Sequence, residues 1–217
     1  YVENELAKWQ LNSMTTELDI TAIIEGAREL PTSEFTNAGN IGQQVHTWRE
    51  QYFKEIIDSG QIGDIPLIYG NGTGVDPSVI SGCRGIQKFL LETHYIPLAC
   101  ELALVDHELK LGGMVDDIGI LPGKRNRLVV IDLKTSNIGD KTSYYYQVAL
   151  YFYMFWKLYK IKPQGAYILH VSKENGSFKL IELPDIPQLI REAKYILKVN
   201  DAIDRVNASK VKEPIVI

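Results

Sequence analysis

Apolar residues recur at helical spacing at Val45, Trp48, Tyr52 and Ile56, which predicts an amphipathic helix. Asn40 is placed to cap its start, with Gln43 three residues on, and Gly60 to stop it. The first forty residues carry short helical signals, with Leu6 and Trp9 on one face. Residues 61–76 are rich in Gly, Pro and Asn and read as a loop. Its Gly70, Gly72 and Gly74 lack the strand–glycine–helix context of a phosphate cradle. Pro77 suits the first turn of a helix running to about His94. After Pro97 the pattern predicts strands at Leu98–Val105, Gly113–Leu121 and Arg127–Lys134, the last two joined at Pro122-Gly123-Lys124. A helix from about Lys141 to Lys160 follows, then a hairpin of Ala166–Ser172 and Ser177–Leu183 around Asn175-Gly176. An amphipathic helix covers about Ile186 to Val206. Helix, three strands, helix, two strands, helix is the order of a mixed α/β domain. It is expected over residues 40–217, preceded by an N-terminal helical segment over 1–39.

Composition narrows this only slightly. The chain has 217 residues, 45% hydrophobic and 23% charged, an ordinary globular balance. A formal net charge of −4 argues mildly against a nucleic-acid partner, although bound divalent cations would supply positive charge that the count omits. Cys83 and Cys100 cannot hold a zinc or iron–sulfur centre alone and suggest no disulfide framework, so a reducing, intracellular compartment is expected. No apolar run is long enough to span a bilayer, and no signal-peptide layout opens the chain. Tyr1 in place of Met suggests a trimmed chain, which leaves cytoplasm, host cytoplasm for a phage protein, or an organelle open.

The candidate chemistry lies around the turn at Lys124. Asp116 stands eight positions before it and Asp132 eight after, so an antiparallel hairpin sets the two carboxylates opposite or nearly so. Like charges that close are destabilising unless a cation intervenes, and hard oxygen ligands suit magnesium, manganese or calcium. Lys134 shares a strand face with Asp132. A structural Asp–Lys pair on a solvated face is the plainer alternative. Val129, Val130, Ile131 and Leu133 make the strand apolar, however, and there an acid and a lysine are costly unless used. Asp117 points to the opposite face and is the weaker ligand candidate. The basic cluster Lys124, Arg125 and Arg127 lies roughly 27 Å from the acids and reads as a solvated turn or a distant rail for DNA.

The following helix holds Tyr144, Tyr145, Tyr146, Tyr151, Tyr153 and Tyr159 among Phe152, Phe155 and Trp156. Most of these read as core, and some could offer stacking surfaces to unpaired bases. Gln147 is the exception, an amide in an apolar segment that needs partners; it shares a helix face with Tyr151. Gly113-Met114-Val115-Asp116, Asp132-Leu133-Lys134 and Gln147 with Tyr151 together resemble the GxxD, (D/E)xK and QxxxY motifs of RecB-like nucleases in the PD-(D/E)XK superfamily. Gly42-Gln43-Gln44-Val45-His46 resembles that family's glycine-to-histidine motif. The resemblance covers roughly residues 40–183. A lone DxK is weak; four motifs in order are a strong signal.

The resemblance implies a restriction-endonuclease-like core, a central mixed β-sheet flanked by helices. It implies Mg2+ or Mn2+ bound by His46, Asp116, Asp132 and the Leu133 carbonyl oxygen, with Glu101 as an acid nearby. Lys134 would orient or help deprotonate the attacking water and offset phosphate charge, and Gln147 and Tyr151 would position Lys134 or the substrate backbone. The implied activity is a metal-dependent deoxyribonuclease, an exonuclease leaving 5′ phosphates. Its substrate would be DNA, single-stranded or with free ends, and a helicase or recombination protein would be its partner; a membrane is not expected. The cluster-binding cysteines of some members are missing, and so is any helicase segment. Two rivals are a non-catalytic binding module of the same fold and a structure- or sequence-specific endonuclease.

Overall fold

The strand Arg127–Lys134 (β3) carries apolar side chains at consecutive positions, Val129, Val130 and Ile131, so it needs cover on both faces. The computed structural model describes residues 33–60, 75–135 and 142–210. In them β3 is the centre of a five-stranded sheet of order β1-β2-β3-β4-β5. The other strands are β1 (Ile96–Asp106), β2 (Leu111–Leu121), β4 (Gly165–Val171) and β5 (Phe178–Glu182). The helices are α1 (Ser33–Ser59), α2 (Pro77–Thr93), α3 (Thr142–Tyr159) and α4 (Ile186–Lys210). Only the β3–β4 pair is parallel; the three others are antiparallel. The crossover α3 makes that parallel pair, as a parallel connection requires. The sheet is therefore mixed, with helices on both faces, as the element order and the motifs lead one to expect.

Strand alternation sorts the core into two halves. Val129, Ile131 and Leu133 pack with Val45, Trp48, Phe53, Ile86 and Phe89 of α1 and α2. Val130 packs with Val148, Phe152, Met154 and Phe155 of α3 and with Leu189 of α4. Asp132 and Lys134 follow the alternation of Val130 and lie on the α3 side.

Local signals account for most boundaries. Asp76 caps α2 by accepting the Ser78 amide at 2.7 Å, with Pro77 in the first turn and His94 in the left-handed conformation at its end. Gly60, at φ 69°, ends α1. Asn40 does not start that helix: α1 begins at Ser33 and Asn40 lies inside it. A glycine such as Gly39 lowers helix propensity without stopping propagation, so the capping signal there goes unused. The early helical signals at Leu6 and Trp9, and the glycines at 70, 72 and 74, lie outside the described residues. No helix among the described residues is long and apolar enough to cross a membrane.

One glycine is required by close packing. A Cβ on Gly119 would stand 2.3 Å from the Tyr95 hydroxyl and 2.4 Å from the Ile96 carbonyl oxygen, the latter a backbone atom of the neighbouring strand. Gly119→Ala is expected to destabilise the domain by about 1–3 kcal/mol, lowering the melting temperature by roughly 2–4 °C per kcal/mol. Thermal unfolding followed by circular dichroism checks this, and an unchanged midpoint would contradict the packing.

Candidate active site

The site forms where β2 and β3 part. Their ladder runs from Leu121–Arg127 to Asp117–Ile131 and stops there. One step further along the same register, Asp116 comes beside Asp132, as the hairpin count predicts. Here the Leu133 amide donates to the Asp116 carboxylate, Leu133 N to Asp116 Oδ2 being 2.6 Å. A side-chain oxygen thus satisfies a backbone donor that a continuing ladder would have paired. Both acids are buried, Asp116 at 7% and Asp132 at 2% exposure, so their charge must be met within the protein.

Glu101 on β1 has φ 49°, an uncommon value for a non-glycine residue. Strict alternation would place Cys100 and Leu102 on one face. Instead Cys100 packs with the α1–α2 side and Leu102 with the α3–α4 side. The turn at Glu101 brings its carboxylate to His46 and Asp116. One ligand-type atom from each of His46, Glu101 and Asp116 lies within 4.8 Å of the others.

The helix α1 reaches this cluster with one face. Gly42, His46 and Arg49 are spaced i, i+4, i+7 and so share that face. A Cβ on Gly42 would stand 3.0 Å from Thr135 Oγ1, at the end of β3. His46 Nδ1 is 3.4 Å from Asp116 Oδ1. Arg49 is fully buried; its Nη1 donates to Asp117 Oδ2 at 2.7 Å, and its Nη2 bonds Glu101 Oε1 and lies 3.5 Å from Asp116 Oδ1.

A second chain of contacts holds Lys134. Its Nζ is 2.6 Å from Asp132 Oδ2, an ion pair without hydrogen-bond alignment. It donates to Gln147 Oε1 at 3.2 Å, and Gln147 Nε2 donates to the Tyr151 hydroxyl at 3.1 Å. The ammonium also lies 4.8 Å from the centre of the Tyr144 ring, a favourable cation–π placement. Tyr151 in turn lies against Gly113, where a Cβ would stand 2.7 Å from Tyr151 Cε1. The glycine of GxxD and the tyrosine of QxxxY are therefore two sides of one contact.

Burial alone would raise the carboxyl of Asp116, yet His46, Arg49 and the Leu133 amide hold it below its ordinary value. Burial and the charge of Asp116 push Asp132 up against the pull of Lys134. Asp117 is pushed up to about 7 by burial, with Asp116 adding to the shift and Arg49 opposing it. Burial would lower Lys134, but Asp132 raises it and keeps the ammonium charged. Among the described residues four acids, Glu101, Asp116, Asp117 and Asp132, thus gather around two permanent cations, Arg49 and Lys134. This crowding of acids and the oxygen–nitrogen donor set of His46, Glu101 and Asp116 fit a divalent cation.

The structure brings His46, Asp116, Asp132, Lys134, Gln147 and Tyr151 into one connected cluster. Within it Glu101 stands with His46 and Asp116 at ligand spacing, while Asp132 is tied to Lys134 and is not part of that trio. Asp117 faces Arg49 on the other side of β2. Arg127 of the basic turn pairs with Glu182 and lies over the Tyr167 ring, away from these groups. Arg49 escapes a reading by motif. The available signal was its helical spacing from Gly42 and His46, together with a charge set between the core residues Trp48 and Tyr52.

Comparison with known proteins bears on the fold and the family. No curated protein matches the chain. A structure of a candidate exonuclease from Eubacterium rectale is similar at TM-score 0.50 and 17% identity, over 88% of this chain and 74% of that one. The structure of SSO0001 aligns at TM-score 0.31 and 15% identity over 87% and 88% of the two chains. The family model of the PD-(D/E)XK nuclease superfamily matches residues 83–213, a span that holds Asp116, Asp132, Lys134, Gln147 and Tyr151. The chain belongs to the PD-(D/E)XK nuclease superfamily.

Proposed function

We propose that the chain is a Mg2+- or Mn2+-dependent deoxyribonuclease that degrades DNA from free ends and leaves 5′ phosphates. The observation that carries this reading is the acid cluster itself: His46, Glu101 and Asp116 stand at ligand spacing, beside the buried Asp132. Asp132 and the Leu133 carbonyl oxygen complete the proposed ligand set. The bound ion would polarise the scissile phosphate and lower the pKa of the attacking water.

The protein's own groups have distinct parts in the cleavage of the phosphodiester. Lys134, held charged by Asp132, faces the negative charge that grows on the phosphate oxygens as water attacks phosphorus and the 3′ oxygen departs. A charged ammonium stabilises and orients; it is not the proton acceptor in this state. Gln147 fixes the Lys134 ammonium through one hydrogen bond, and Tyr151 fixes Gln147 through another. DNA with free ends, single-stranded or double-stranded, is the proposed substrate, and a helicase or recombination protein is the proposed partner. The two thiols, both free, suit a reducing intracellular compartment. The nuclease domain is taken as residues 40–217 and the N-terminal segment as residues 1–39, although the helix Ser33–Ser59 runs across that boundary. Retention of Asp116, Asp132 and Lys134 together disfavours a binding-only module.

Purified protein with Mn2+ or Mg2+ is expected to degrade linear DNA, and EDTA to stop it. Asp132→Ala and Lys134→Ala should each lower the rate by at least about 10²–10³-fold, with circular dichroism showing that each variant stays folded at the assay temperature. Full activity in both variants would refute the site. End-labelled linear and covalently closed circular DNA compared on gels test the exonuclease reading, since cutting of closed circles contradicts it. Tyr151→Phe removes only the hydroxyl that fixes Gln147 and should lower kcat by about 10–100-fold, the scale of losses when a supporting hydrogen bond is removed. An unchanged kcat would show that Lys134 is held without this chain of bonds.

A further inference from the structure

Arg49 is a fully buried arginine whose two terminal nitrogens are divided between acids with different surroundings. One nitrogen holds Asp117, which faces the α1 side of β2; the other bonds Glu101 and lies 3.5 Å from Asp116. A guanidinium present only to neutralise Asp117 would have no need of the second contact. Resting on the metal-dependent reading above, we propose that Arg49 is a positioning residue that serves in place of a second cation, aiming Glu101 and Asp116 at a single divalent ion.

The placement of the carboxylate oxygens supports one ion. Two-metal centres hold their ions about 3.5–4 Å apart as a clamp on the attacking and leaving oxygens, commonly with a carboxylate that lends one oxygen to each. Asp116 is the acid placed to be shared, but its Oδ2 is turned to the Leu133 amide at 2.6 Å, and Oδ1 is the oxygen that faces His46, at 3.4 Å. Glu101 Oε1 is bonded by Arg49, and Asp132 Oδ2 is paired with Lys134. The planar fork of arginine is what lets one cation hold Asp117 and Glu101 at once; a lysine would bring the charge without the fork.

The test is a titration of Mn2+ alone into DNA-free protein, read by calorimetry and by the electron paramagnetic resonance of free Mn2+. One ion per chain is expected for the wild type. Arg49→Lys should still bind one ion, about tenfold or more weakly. Its Mn2+ half-saturation for cleavage should shift in parallel, with an unchanged KM for DNA at saturating metal. A purely structural role would not separate metal affinity from KM in this way. Two ions in the wild type, or an Arg49→Lys affinity within twofold of wild type, would overturn the proposal. Should Arg49→Lys fail to fold, Asp117→Asn, which loosens the other arm of the Arg49 fork, is the second variant: one ion bound more weakly is expected, and an affinity within twofold of wild type would overturn the role of Arg49. A wild type that binds no ion refutes the metal site itself; one ion with no effect of Arg49→Lys refutes only the role of Arg49.

Discussion

Beyond the Asp117–Ile131 pair, the β2–β3 ladder gives way to a single bond from the Leu133 amide to the Asp116 carboxylate. That substitution is the constraint from which the site follows. It ends the ladder at the residue where the acids begin, and it fixes one oxygen of Asp116. The same parting leaves room for groups from both helical layers. His46 and Arg49 arrive from α1 on one face, and Lys134 with Gln147 and Tyr151 occupies the other. A hairpin whose ladder continued to the strand ends would pair Leu133 with β2 backbone and close that gap.

Such a cluster is costly to bury. Losing one partner of a buried ion pair typically costs about 3–5 kcal/mol, and here Asp116, Asp117 and Asp132 are all nearly inaccessible. Neighbours in sequence meet this cost differently. Asp116 is stabilised in its charged form by His46, Arg49 and a backbone amide. Asp117, one residue on and turned to the other face, has Arg49 as the one hydrogen-bonded partner of its side chain among the described residues, where its Oδ1 is left unpaired. Alternation along a strand thus sends the two acids of a simple Asp-Asp dipeptide to different partners, Asp116 to His46 and the Leu133 amide and Asp117 to Arg49.

Much of this was legible in the chain. Apolar runs and turn residues located β2, β3 and their hairpin closely, and the register followed from counting either side of Lys124. The spacing of Gln147 and Tyr151 on one helix face marked them as partners. What the pattern could not show lies in contacts distant in sequence. Arg49 meets Asp117 across 68 positions, and no period or spacing encodes that pairing. Glu101 reads as an ordinary strand residue, because alternation assumes extended backbone and its φ of 49° departs from it. The start of α1 at Ser33 rather than Asn40 reflects propagation past a good capping residue, a competition that local signals do not resolve.

The tyrosine-rich helix α3 illustrates why core and site are hard to separate by composition. Val148, Ala149, Phe152, Met154 and Phe155 bury against the sheet, which fixes the axial position and rotation of the helix. With that rotation set, Gln147 and Tyr151 point along one face toward β3 and Gly113. The gap at Gly113 then accepts the Tyr151 ring, the ring's hydroxyl orders Gln147, and Gln147 orders the Lys134 ammonium. The placement of one cation thus rests on the packing of a helix that contributes no charge of its own to it. Apolar packing and polar chemistry are consecutive links of the same chain of contacts here, so an aromatic residue four positions from an amide belongs to both.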